Sequence, residues 1–85
     1  MSDFNDFIEL VHATQDKALL DDLLLGITTP NEREEFVRRI DIVRLLLDGE
    51  SQRSVSDKLG VGIATVTRAS KELSKGRFKV LRPKK

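Results

Sequence analysis

No cysteine occurs in this chain, so neither a disulfide nor a thiolate metal site can staple it, which suits a reducing compartment. No apolar run approaches the roughly 18 residues that a membrane span needs, and no basic segment leads into an apolar stretch. A soluble, cytoplasmic chain with no membrane partner is therefore expected. Histidine occurs once, as His12 beside apolar Val11, with no Ser or Cys nucleophile constellation around it. Such a residue reads as a surface or partly buried side chain and not as a general base. Asp21-Asp22 and Glu34-Glu35 are adjacent pairs, which on a helix point about 100° apart and do not converge on a metal. No glycine-rich phosphate loop of the Walker or dinucleotide type is present, nor any internal repeat or low-complexity tract. These absences leave an enzyme little footing and turn attention to binding.

What is present is short and unevenly charged. A chain of 85 residues makes one domain, and at that size only about 60–65% of the unfolded surface is buried, so oligomerisation is the usual remaining staple. The net charge of +1 hides a split: Met1 to Glu50 holds 12 acids against 5 bases, and Ser51 to Lys85 holds 2 acids against 10 bases. A solvated surface mixes its signs, whereas a surface that faces phosphates gathers the positive ones.

The positive half opens with Ser51 to Ser74, which reads as two short helices hinged at glycine. Val55 and Leu59 share a face at i, i+4, Val61 covers them from the turn, and Val66 with small Ala69 closes a core from the second helix. Gly60 follows Leu59, where a left-handed backbone is least costly without a Cβ. Ile63, Ala64, Thr65, Thr67, Arg68 and Lys71 are left facing away, a small and polar surface suited to a major groove. A helical hairpin of no special purpose has the same outline, but the spacing of the apolar positions and the cationic outward face favour a helix-turn-helix that binds double-stranded DNA.

Upstream, Phe4, Phe7, Ile8 and Val11 form one stripe of a helix over about Phe4 to Ala13, capped by Ser2 or Asp3. Asp16 opens a second helix that carries five leucines in the seven residues Leu19 to Leu25 and ends at Gly26. That helix is either fully buried or part of a dimer seam. Thr29-Pro30-Asn31-Glu32 combines an N-cap, a proline at the first helical position and a capping-box Glu. The third helix runs from there through Phe36, Ile40, Val43 and Leu47, with Val37, Ile42 and Leu46 widening the stripe, and stops at Asp48-Gly49. After Lys75-Gly76 the last nine residues carry five bases and no acid. They read as a frayed tail, an edge strand, a segment docked through Phe78, Val80 and Leu81, or a basic arm along DNA. The organisation expected is thus one all-α domain over residues 1–76, its helix-turn-helix at 51–74, and a basic tail over 77–85.

From Thr29 to Leu73 the chain resembles the bacterial tryptophan repressor family. The resemblance is carried by Thr29-Pro30-Asn31-Glu32-Arg33-Glu34, by Arg39, Ile42 and Val43, by Gly49-Glu50 and Ser51-Gln52-Arg53, and above all by Gly60-Val61-Gly62-Ile63-Ala64-Thr65-Val66-Thr67-Arg68. It implies an all-helical, five-helix, intertwined homodimer whose two recognition helices address one palindromic operator. It also implies that Gln52 and Arg53 lie near the DNA backbone or base edges, with Ile63, Ala64, Thr65, Thr67, Arg68 and Lys71 on the recognition face. Small outward side chains leave room for bridging water, and no Asn or Gln in the second helix offers bidentate adenine readout.

The same resemblance implies a ligand pocket. Arg39 and Arg68 match the two arginines that flank an L-tryptophan ring, and Arg68 with Thr29 stands near its carboxylate. Two positions depart from the family: Ala69 stands for a glycine that admits the ring, and Glu72 for a serine that helps hold the ammonium. Glu72 either pairs with an ammonium or fills the pocket through Arg68 or Arg39. No cofactor follows from the residues themselves, and L-tryptophan or another small amino acid is the effector that the resemblance offers. The chain is also one residue shorter than the family between Glu50 and Ser51, and the family's C-terminal helix has no counterpart here. The reading that results is a homodimeric, DNA-binding transcriptional repressor. A DNA-binding component of a mobile element or phage, and a helical protein-interaction module built on the leucine helix, are the alternatives.

Overall fold

A computed structural model describes residues 1–83. Its elements are α1 (Phe4–Ala13), α2 (Lys17–Ile27), α3 (Pro30–Leu47), α4 (Gln52–Leu59), α5 (Ile63–Ser74) and a single 3-10 turn, Lys79–Leu81. The described residues are thus all-α, as the periodicity predicts. None of these helices is long and apolar enough to cross a membrane. The chain forms two compact units, one over residues 1–33 and one from Glu34 onward.

Local chemistry fixes the ends of the helices. At α1 the Asp3 carboxylate accepts from the Asp6 amide at 3.0 Å while Asp6 accepts from the Asp3 amide at 3.0 Å, a reciprocal capping box. Asp16 caps α2 by accepting from the Ala18 and Leu19 amides. The helix runs one residue beyond the Gly26 expected to end it. It stops where Thr28 goes extended and its hydroxyl donates to the Leu24 carbonyl at 2.5 Å. No residue of α1 or α2 is buried, and Leu19, Leu25 and Ile27 are exposed, so full burial of the leucine helix is not what the chain does.

The capping box expected at α3 is formed: the Thr29 amide donates to Glu32 at 2.8 Å and the Glu32 amide donates to the Thr29 hydroxyl at 3.2 Å. The far end closes at Gly49, whose φ of 95° only glycine adopts at little cost, with amides of Gly49 and Glu50 donating to the carbonyls of Leu46 and Leu45.

The core of the second unit is small. Ile42, Val43, Val55 and Val66 are fully buried, and Leu45, Leu46, Leu59, Val61 and Ala69 pack around Ile42, Val55 and Val66. The α4–α5 core foreseen from the hinge is therefore completed by α3. The third-helix stripe needs correction: Phe36, Val37 and Ile40 are exposed, because the partners supplied by α4 and α5 gather on Ile42, Leu45 and Leu46.

Candidate nucleic-acid interface and adjoining cleft

The hinge between α4 and α5 is built from short polar links. Ser51 caps α4 by accepting from the Ser54 amide at 3.1 Å. Gly60 takes φ 64°, the left-handed region expected of it. The Val61 amide then donates to the Ser56 carbonyl at 3.2 Å, and the Ser56 hydroxyl donates to the Val61 carbonyl at 2.6 Å. Just before α4, Glu50 accepts from the Ser54 hydroxyl at 2.5 Å and pairs with Lys58 at 3.1 Å. These contacts, the Ser54 hydrogen bond first, hold its carboxyl below the usual range. Glu50 thereby ties the start of α4 to its last turn.

Helix α5 begins at Gly62 with no side-chain cap, which leaves its first amides open. Its surface divides into three strips. Val66 is buried and Ala69 and Leu73 are half-buried, as the core requires. Thr65, Arg68, Ala69 and Glu72, spaced three, four and seven apart, line a cleft against α3. On the opposite flank the Thr67 hydroxyl donates to Gln52 Oε1 at 2.8 Å, so Thr67 is half-buried and braces α5 on α4. Ile63, Ala64, Thr65, Arg68 and Lys71 are exposed, as is Arg53 on α4. Of the side chains read as facing away, Thr67 alone forms a side-chain hydrogen bond among the described residues, and its partner is Gln52.

The cleft has a volume of about 350 Å³ and is lined by Glu35, Arg39, Ile42 and Val43 from α3, by the four α5 residues, and by Phe78. It gathers Arg39, Arg68, Ala69 and Glu72, four of the five positions named for a pocket; the fifth, Thr29, belongs to the first unit and caps α3. Arg39 lies 3.7 Å from Glu35, one helical turn away. Glu72 fills neither arginine's side of the cleft with a salt bridge: its oxygens pair with Lys75 at 3.0 Å and Arg77 at 3.2 Å. Chiefly through Lys75, and also through Arg77, its carboxyl is held below the usual range. Sequence reasoning left Glu35 and Phe78 out of the pocket. Glu35 was legible as the i, i+4 partner of Arg39, whereas Phe78 reaches the cleft only because the chain turns back after α5.

The glycine-hinged α4–α5 pair, with exposed cations on its second helix, defines a helix-turn-helix protein. The family model described as Trp repressor protein matches residues 2–80, and the chain belongs to that family. Among curated relatives, a protein of Vibrio vulnificus named Trp operon repressor homolog is 49% identical over 73 residues, 85% of this chain and 72% of that one. Relatives of the same name from Vibrio cholerae and Photobacterium profundum are 47% and 42% identical, each over 85% of this chain and over 71% and 74% of their own lengths.

Proposed function

We propose that this chain is a sequence-specific DNA-binding transcriptional repressor that works in the cytoplasm as a homodimer on a palindromic operator. One observation carries the reading: the α5 surface combines uncapped N-terminal amides with exposed Arg68 and Lys71, and neither cation has an acidic partner among the described residues. Helix N-terminal amides and free guanidinium or ammonium groups are what phosphates attract. Arg53, Arg68 and Lys71 take the backbone, while Ile63, Ala64 and Thr65 lie against base edges through small side chains and bridging water. Gln52 and Thr67 meet the DNA as a hydrogen-bonded pair that sets the angle of α5.

A second copy supplies what the lone chain lacks. Four fully buried side chains make a meagre core, while Phe4, Leu19, Ile27, Phe36 and Val37 are each more than half exposed. Joining two chains through these faces sets the two α5 helices on half-sites about 34 Å apart. The cleft holds an amino-acid effector, L-tryptophan or another, with its ring between Arg39 and Arg68.

Selection from random duplexes, followed by anisotropy titration of the selected and scrambled duplexes, tests the reading. A preference of about 10³-fold or more for the selected duplex is expected. Equal affinity for both, with and without L-tryptophan, would sink it, and sedimentation of a strictly lone chain would remove the dimer.

A further inference from the structure

Phe78 is the one described residue other than glycine with a left-handed backbone, at φ 65°. A side-chain-bearing residue keeps that conformation only where its surroundings over-determine it. They do so here. As α5 ends, the Gly76 amide donates to the Leu73 carbonyl at 3.0 Å and the Arg77 amide to the Glu72 carbonyl at 3.1 Å. The Arg77 side chain then turns onto Glu72, and Arg82 Nη2 donates back to the Leu73 carbonyl at 2.7 Å. The intervening 3-10 turn is closed by the Leu81 amide on the Phe78 carbonyl at 3.0 Å. Of the readings offered for this segment, which included a frayed tail and an edge strand, the folded return corresponds to docking back on the body, and it leaves the half-buried Phe78 on the wall of the cleft with Arg68 and Glu72.

Glu72 serves both structures. It lines the cleft, and each of its carboxylate oxygens already accepts one charged hydrogen bond, one from Arg77 and one from Lys75. A cationic group entering the cleft and Arg77 are thus rival claimants for one carboxylate. We propose that Arg77 to Arg82 is a strap that gates the cleft: the Glu72–Arg77 pair and the Arg82–Leu73 hydrogen bond latch Phe78 against it, and a small molecule whose ammonium pairs with Glu72 competes with Arg77 for that charge and so loosens the latch. The nature of the molecule rests on the effector reading above; the strap itself does not. Such a gate lowers affinity for any ammonium-bearing ligand and couples its binding to release of the chain's basic end.

The chain contains no Trp or Tyr, so Phe78→Trp places a lone indole on the strap. Its acrylamide quenching constant is expected to rise two- to fivefold when Arg77→Gln and Arg82→Gln are added, roughly the effect that exposed pairs and single hydrogen bonds support. Should the indole destabilise the fold, hydrogen exchange at the Leu81 amide of the otherwise unaltered chain reads the same latch, with protection falling in the double variant. Calorimetric titration with L-tryptophan, in the Phe78 background, is expected to show two- to fivefold tighter binding to the double variant. Unchanged quenching and unchanged Leu81 protection overturn the strap, and equal L-tryptophan affinities overturn the gate. Absence of heat with either protein overturns the effector reading and its claim on Glu72, while the quenching result still decides the strap.

Discussion

Salt dependence of duplex binding puts the interface to a quantitative test, because the structure sorts the cations of the basic half. Of the eight described cations, Lys58 is spent on Glu50, Lys75 and Arg77 on Glu72, and Lys79 and Arg82 on backbone carbonyls. Arg53, Arg68 and Lys71 are exposed and have no acidic partner among the described residues. Three phosphates neutralised per recognition unit, at about −0.9 in log K per log salt for each, give a slope of about −2.7, or about −5.4 for two units on one operator. Raising salt from about 50 to about 200 mM then weakens the two-headed complex roughly 2,000-fold. Lys71→Ala removes one contact from each unit, which brings the slope to about −3.6 and the loss over the same range to roughly 150-fold. Fluorescence anisotropy on a labelled duplex at four or five salt concentrations measures both. Lys75→Ala is the control and should leave the slope nearly unchanged, since its ammonium is already on Glu72. A parent slope shallower than about −2, or equal effects of Lys71→Ala and Lys75→Ala, would refute the sorting.

Three further outcomes concern stability, each read at fixed protein concentration. Gly60→Ala puts a Cβ into open space, with nothing within 4 Å, so its cost is the left-handed backbone alone; urea unfolding should show a loss of about 1–2 kcal/mol, smaller for Gly60→Asn. Ile42→Ala empties the centre of the α3–α4–α5 core and should cost about 2–5 kcal/mol by the same measurement, enough to unfold a chain this short. Glu50 has a folded-state pKa below its ordinary value of 4.5, owing first to Ser54 and then to Lys58. Its contribution is therefore complete above that value and disappears as pH falls through the depressed one. Unfolding curves of Glu50→Gln and parent should differ at pH 6–7, and the gap should close as pH falls below 4.5 and the carboxylate protonates in the folded chain; a gap of constant size down the acid range would refute the assignment.

The boundaries of the helices were legible because the signals that set them are local. Asp3, Asp16, Thr29 and Ser51 each accept from an amide two or three residues ahead, and Gly49 and Gly60 each supply the one backbone conformation that ends a helix tightly. The cleft was partly legible for a different reason. Thr65, Arg68, Ala69 and Glu72 share a strip of one helix, and that much follows from spacing. Which wall faces them does not.

Sequence alone therefore determined where each helix starts and, but for the last residue of α2, where it stops, the charge division between the two halves, and the pairing of α4 with α5 across a glycine hinge. Only the tertiary structure decided that α3 buries Ile42 and Val43 while Phe36, Val37 and Ile40 stay exposed, since an apolar helix carries more apolar surface than any one neighbour covers. It also decided that Thr67 braces Gln52 across 15 positions, and that Glu72 pairs with Lys75 and Arg77 and not with Arg39 or Arg68. Caps and turns are settled by groups within one turn of each other. The choice of face, of hydrogen-bond partner and of strap depends on which remote groups compete for the same surface, and that competition is resolved only when the chain has folded.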